Sequence, residues 1–172
     1  MRRIKLDRTD RRILRDLQAD GRMTNVELAQ RAAISPPPCL RRVRILEQAG
    51  FIQGYHAALN AEALGFAETA FIQVGLERQS EGDLTAFEDL TLNWPEVRET
   101  YMLEGVNDFL LKVVTKDQRA YRRFLSILTG SPNVIHVKTM RVVRRAKQDV
   151  GVPVEIDDPS DPQLLPATGT GL

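Results

Sequence analysis

The hydrophobic period of this chain changes once, near residue 68, and that change constrains the fold more than any other feature. Upstream, apolar residues recur at helical spacing. Downstream, two-residue alternation takes turns with helical runs. The chain therefore describes two units of different class in sequence.

Asp7 or Thr9 can cap a first helix with Ile13, Leu14 and Leu17 on one face, and Asp20-Gly21 ends it. Thr24, with Glu27 three residues on, forms a capping box for a second short helix. Val26, Leu28 and Ala29 supply its apolar side. Ala32-Ala33-Ile34-Ser35 is a tight turn, and a third helix runs from about Pro37 to Ala49, stopping at Gly50. Phe51 to His56 alternates as a short strand with a turn at Gly54. Three short helices, a tight turn before the third and a hairpin after it predict a winged helix-turn-helix over residues 1–56. Residues 57–67 read as a linker or hinge.

Residues 68–149 follow a different order. Ala70, Ile72, Val74 and Leu76 alternate as a strand, and Leu84, Phe87, Leu90 or Thr91, and Trp94 recur as a helix closed by Pro95. Val97–Leu103 and Phe109–Thr115 are strands joined by a turn at Glu104-Gly105-Val106-Asn107. Asp117 caps a helix carrying Tyr121, Phe124, Leu125 and Leu128, and Val134–Val143 is a last strand. The order β-α-β-β-α-β is the ferredoxin-like arrangement. The predicted fold class is α+β: an N-terminal winged helix-turn-helix joined by a hinge to a C-terminal ferredoxin-like domain. Residues 150–172 hold four of the nine prolines, four acids and no Lys or Arg, the pattern of a flexible acidic tail.

Charge follows the same division. The net charge is +1, yet residues 1–60 hold twelve Lys and Arg against six Asp and Glu. The remainder holds twelve against seventeen. A basic first unit suits a polyanionic partner. One cysteine, Cys39, excludes an intrachain disulfide, and two histidines, His56 and His136, argue against a metal centre. There is no nucleophile–base pair and no phosphate-binding glycine loop, so neither an enzyme nor a cofactor is expected. No apolar run approaches the roughly 18 residues of a membrane span. Residues 1–15 are too charged for a signal peptide, so a soluble cytoplasmic protein is expected.

The segment Ser35-Pro36-Pro37-Pro38-Cys39-Leu40-Arg41-Arg42-Val43-Arg44 carries the most chemistry. Ser35 is a natural N-cap, and the prolines sit where backbone N–H groups have no helical partner. Because residues before proline resist the α region, Pro36 and Pro37 are expected to precede the regular helix. At 100° per residue, Cys39, Leu40, Val43 and Leu46 share a buried side, Arg41, Arg44 and Gln48 point away, and Arg42 sits at the flank. Taken alone, this is equally the solvated basic face of an ordinary helix. Behind a short helix and a tight turn, it suits insertion into a major groove, with Ser35, Pro37, Pro38, Arg41, Arg42, Arg44 and Gln48 as candidate DNA contacts.

Ser35-Pro36-x-Pro38-Cys39-Leu40-Arg41-Arg42-Val43 and Phe51-Ile52-Gln53-Gly54-Tyr55 closely resemble the Lrp/AsnC (feast/famine) family. Leu6-Asp7-x-x-Asp10-x-x-Ile13-Leu14, Asp20-Gly21-Arg22 and Gly105-x-x-Asp108-Phe109-Leu110-Leu111-Lys112 are similar to it too. The resemblance spans about residues 4–150. It implies a transcription factor with a ligand-sensing C-terminal domain, nucleoid-associated in the cytoplasm. It also implies homodimers that read two-fold related half-sites on double-stranded DNA and assemble further, often into octamers. The implied effector is an amino acid bound between dimers. Pro37, Ile45 and Glu104 stand where the founding member has threonine, arginine and serine, so its operator and effector do not carry over to this chain, while the class does.

Gly105 and Asp108 are candidate effector contacts. A glycine hairpin can offer N–H groups to a carboxylate, and Asp108 can accept from an ammonium. Read alone, Gly, Asn and Asp here are ordinary turn residues; the resemblance shifts the reading to a pocket and adds Thr139. Cys39 reads as a buried small hydrophobe and His136 as packing or interface. The run from Arg141 to Lys147 marks where the last strand leaves its sheet. An effector-independent, architectural DNA-wrapping protein of the same fold is the alternative.

Overall fold

In the computed structural model, residues 5–148 and 151–156 are described. The rest of the expected tail, at residue 150 and from 157 onward, lies outside the described residues. The chain divides into two compact units. One is the chain up to Ala57 together with residues from Gln148 on; the other is Ala58–Lys147.

The first unit holds α1 (Arg8–Ala19), α2 (Asn25–Arg31) and α3 (Pro36–Gln48). Asp7 caps α1 through a reciprocal box with Asp10, and Thr24 caps α2 through the box with Glu27 that its spacing predicts. Ile13, Leu28, Ala29, Ala32, Cys39 and Leu46 form its core, with Leu17, Val43 and Ile52 packed around them. Between α2 and α3, Ala33 has φ +57, a left-handed turn made without glycine. The Ile34 N–H donates to the Ala29 carbonyl at 3.0 Å, closing a Schellman motif.

Four expectations are corrected in this unit. α3 begins at Pro36, because Pro36 and Pro37 fill the first helical positions, where the missing N–H has no helical partner. Leu40 is 40% exposed, since it lies a full 100° round the helix from Cys39. Val26 is 54% exposed; Leu28 and Ala29 alone cover that side of α2. Residues 51–56 form no strand, for an extended segment needs a ladder partner and none is at hand among the described residues. Instead the Tyr55 hydroxyl donates to Glu47 at 3.0 Å, holding the segment on α3.

The second unit holds β1 (Glu68–Leu76), α4 (Glu81–Leu92), β2 (Val97–Met102), β3 (Phe109–Thr115), α5 (Gln118–Thr129) and β4 (Val134–Arg141). The strands form one antiparallel sheet in the order β2-β3-β1-β4, the ferredoxin-like topology. Inward side chains of β1 and β3 pack on Phe87, Tyr121, Phe124 and Leu128 of the two helices. The Phe87 ring lies 4.7 Å from Phe109 and 6.2 Å from Trp94, whose edge meets Phe124 at 5.6 Å. Each fully buried Phe contributes about 1.5–3 kcal/mol. Asn93, not Pro95, closes α4, and β4 stops at Arg141, where a salt bridge to Glu68 ties the edge strand to β1.

Candidate nucleic-acid interface and effector site

The prolines give α3 a rigid first turn, and its anchor to α2 is polar: the Asn25 side-chain amide donates to the Pro36 carbonyl at 2.9 Å. Pro37, Arg41, Arg44 and Gln48 then fall on one face at spacings of four, three and four, and all are exposed. Arg41 and Arg44 have no partner among the described residues. Ser35 and Leu40 are exposed beside this face, as is Ile45, while Pro38 is half-buried. Ser35 occupies the cap position, but its hydroxyl makes no cap hydrogen bond.

Arg42 is placed differently. Its Nη1 donates to Asp7 Oδ2 and Asp10 Oδ1, both at 2.7 Å. The carboxylates that cap α1 thus also hold α3. Burial alone would raise the Asp7 carboxyl; the Asp10 backbone N–H and the Arg42 guanidinium outweigh it and hold Asp7 below the ordinary carboxylate range. The two carboxylates raise Arg42 in return. The sequence reads Asp7 as a candidate cap and gives Asp10 no structural role; the unused signal is two acids at i and i+3, facing one direction with room for one cation. Cys39 is fully buried in the core, and that burial pushes its thiol up, as for a packing residue.

In the second unit the β2–β3 turn and the end of β1 meet. The backbone N–H of Asp108 donates to the Val74 carbonyl at 3.0 Å, and its Oδ2 accepts from the Leu76 N–H at 2.6 Å. Asp108 thereby closes the irregularity at Gly75 and Leu76. Gly105 has φ +147, outside ordinary side-chain territory, and next to it Val106 is 98% exposed. Gly75 leaves space that a Cβ would take from His136 and Asn107. Gly105 and Asp108 are therefore on one loop, with Gly75 and His136 beside its base. Thr139 is not brought there: it pairs with Ile72, four positions along β1 from Leu76. Among the described residues, no group of three or more His, Cys, Asp or Glu could hold a metal ion, and no helix is long and apolar enough to cross a membrane.

A short basic helix behind a tight turn, joined in one chain to a ferredoxin-like sheet, defines a DNA-binding regulator with a ligand-binding unit. Residues 6–53 match the winged helix-turn-helix DNA-binding family, and residues 69–152 match the Lrp/AsnC ligand binding domain. The chain is 52% identical to the leucine-responsive regulatory protein of Rhizobium meliloti over 146 residues, covering 84% of this chain and 94% of that one. It is 42% identical to the protein of that name from Escherichia coli K12 over 144 residues, covering 83% and 88%. A transcriptional regulator of Neisseria meningitidis, solved as its L-Met complex, aligns with TM-score 0.82 at 37% identity over 87% of this chain and 97% of that one. An AsnC family regulator of Agrobacterium tumefaciens aligns with TM-score 0.81 at 30% identity over 86% and 97%. The chain belongs to the Lrp/AsnC family of transcriptional regulators.

Proposed function

We propose that this regulator reads DNA with the α3 face formed by Pro37, Arg41, Arg44 and Gln48, and changes its affinity or assembly when an amino acid binds. The observation that carries the reading is the pair of unengaged arginines, Arg41 and Arg44, on an exposed helix face. Ser35 and Pro38 meet the backbone at the start of α3, and Leu40 and Ile45 offer apolar contact to thymine methyls. Arg42 is the positioning residue that holds α3 on α1. The nucleoid is the site of action.

The effector is an amino acid or a close relative, a reading supported by the L-Met complex of the Neisseria meningitidis regulator. Backbone N–H groups around Gly105 take its carboxylate. Asp108 Oδ1 takes the ammonium, Oδ2 being committed to Leu76. Thr139 reaches a bound effector only from a neighbouring copy. The sheet face opposite the helices carries Phe71, Leu110, Val114, Tyr101 and Met140 around the Lys112–Glu99 ion pair. That face pairs two copies into a dimer, placing two α3 helices on two-fold half-sites, and dimers assemble into an octamer.

The test is a gel shift on a duplex selected from random sequence. Arg41→Ala with Arg44→Ala should weaken binding by about 1–3 kcal/mol per base contact, or lower the salt slope by about one per phosphate contact. Unchanged shifts for the double variant would remove this face from the interface. Screening the amino acids for a rise in melting temperature tests the effector, since a ligand that binds only the native state must raise stability.

A further inference from the structure

Arg11 and Gln18 lie two turns apart on one face of α1, and the DNA-reading assignment uses neither. The Gln18 amide Nε2 donates to the Val152 carbonyl at 2.7 Å, and the Val152 N–H donates to Gln18 Oε1 at 3.1 Å. One side chain thus satisfies both polar groups of one backbone residue, as a neighbouring strand would. Further along, Arg11 Nη1 donates to the Glu155 carbonyl at 3.4 Å, with Val154 half-buried between. Gly151 has φ +83, and a Cβ there would overlap Gln18 Oε1 and lie 2.6 Å from Gln18 Cδ. Making room would move the whole amide and break its pair with Val152. A glycine, an amide and a backbone residue are fitted to one another.

This segment follows the ligand-binding unit in the chain. The chain leaves the first unit after Ala57, runs through β1 to β4, and returns from Gln148 on. We propose that the Arg11–Gln18 face of α1 is a docking site for residues 151–155 of the same chain. Docked there, the segment is a second anchor that limits the swing of the DNA-reading unit. With the linker alone, each reading unit samples a wide range of positions; a second attachment removes most of them before DNA is met. Only the anchoring role rests on the DNA-reading assignment.

Docking is tested on the full chain by hydrogen exchange. The Val152 amide should exchange at least about tenfold more slowly than an unstructured amide. Gln18→Leu, which can neither accept from the Val152 N–H nor donate to its carbonyl, and Gly151→Val should each abolish that protection while α2 and α3 stay protected. An unprotected Val152 amide in the unsubstituted chain would overturn docking. Gln18→Cys with Val152→Cys, in a Cys39→Ala background, should give an intrachain disulfide. A disulfide-linked dimer would show instead that the segment docks on a second copy.

Anchoring is tested on a selected duplex. Gly151→Val should lose several-fold affinity for two half-sites and none for one. Equal losses on both would overturn the anchor. Failure of the full chain to select any duplex would sink the DNA reading and the anchor, leaving docking to the exchange result.

Discussion

Replacing Arg42 with Ala separates a residue that reads DNA from one that holds the reader. In the structure its guanidinium bridges Asp7 and Asp10 at 2.7 Å each, joining the first turn of α1 to the middle of α3. Removing it leaves two neighbouring carboxylates without their cation. A charge-assisted hydrogen bond contributes about 1.5–3 kcal/mol. The network is partly solvated, with side chains 32% exposed for Arg42, 40% for Asp7 and 12% for Asp10, so screening cuts that figure. A loss of about 1–2 kcal/mol follows. For a unit of this size each kcal/mol is worth about 4–8 °C, so the first unit should melt about 4–16 °C lower.

The pH dependence has a definite sign. Asp7 is held below its ordinary value in the folded chain, so its contribution is present above the unfolded carboxylate range and is lost as pH falls through the folded value. The gap between the unsubstituted chain and Arg42→Ala should therefore be full at pH 7 and close below about pH 4. Circular dichroism melts across pH measure it. At temperatures where both are folded, the salt slope of DNA binding should be unchanged in Arg42→Ala. The reasoning is refuted if Arg42→Ala melts like the unsubstituted chain yet lowers that slope by about one, for Arg42 would then be a phosphate contact.

Two further outcomes are expected. Ala33→Gly relieves a left-handed φ of +57 and should raise stability by up to about 1 kcal/mol, seen as a higher urea midpoint at constant slope; a lower midpoint would show that Ala33 is not strained. Asp108→Ala leaves the Leu76 N–H without its acceptor and should cost about 1–3 kcal/mol, whereas Asp108→Asn keeps an acceptor and the fold. If Asp108 also takes an ammonium, Asp108→Asn should stay folded and lose the amino-acid response in a thermal-shift assay, and a full response would confine Asp108 to a structural role.

The sequence made the elements legible because their signals are local. Thr24 with Glu27, Asp117 before α5, and the alternation of Ala70, Ile72, Val74 and Leu76 each depend on residues a few positions apart, and each appears in the fold. The strand expected over residues 51–56 is absent, because those residues carry the right alternation but a strand is defined by its partner, which no local pattern supplies. The same distinction divides the site. Exposure of Arg41, Arg44 and Gln48 follows from helical spacing alone, so the exposed face proposed to read DNA could be drawn from the sequence. The role of Arg42 depends on Asp7, 35 positions away, and that of Asp108 on Leu76, 32 positions away. Both residues have the chemistry of a binding group, and in both the fold has committed much of it: one guanidinium nitrogen to two carboxylates, one carboxylate oxygen to a backbone N–H. What each has left for a ligand is therefore set by long-range partners. Arg42 can touch phosphate only by loosening α1 from α3. Asp108, with one oxygen fixed on the Leu76 N–H, would present its other oxygen to a ligand in a direction already set by β1. An effector that pulls on Asp108 therefore pulls on the backbone at Leu76, which ties the proposed pocket directly to the central strand of the sheet.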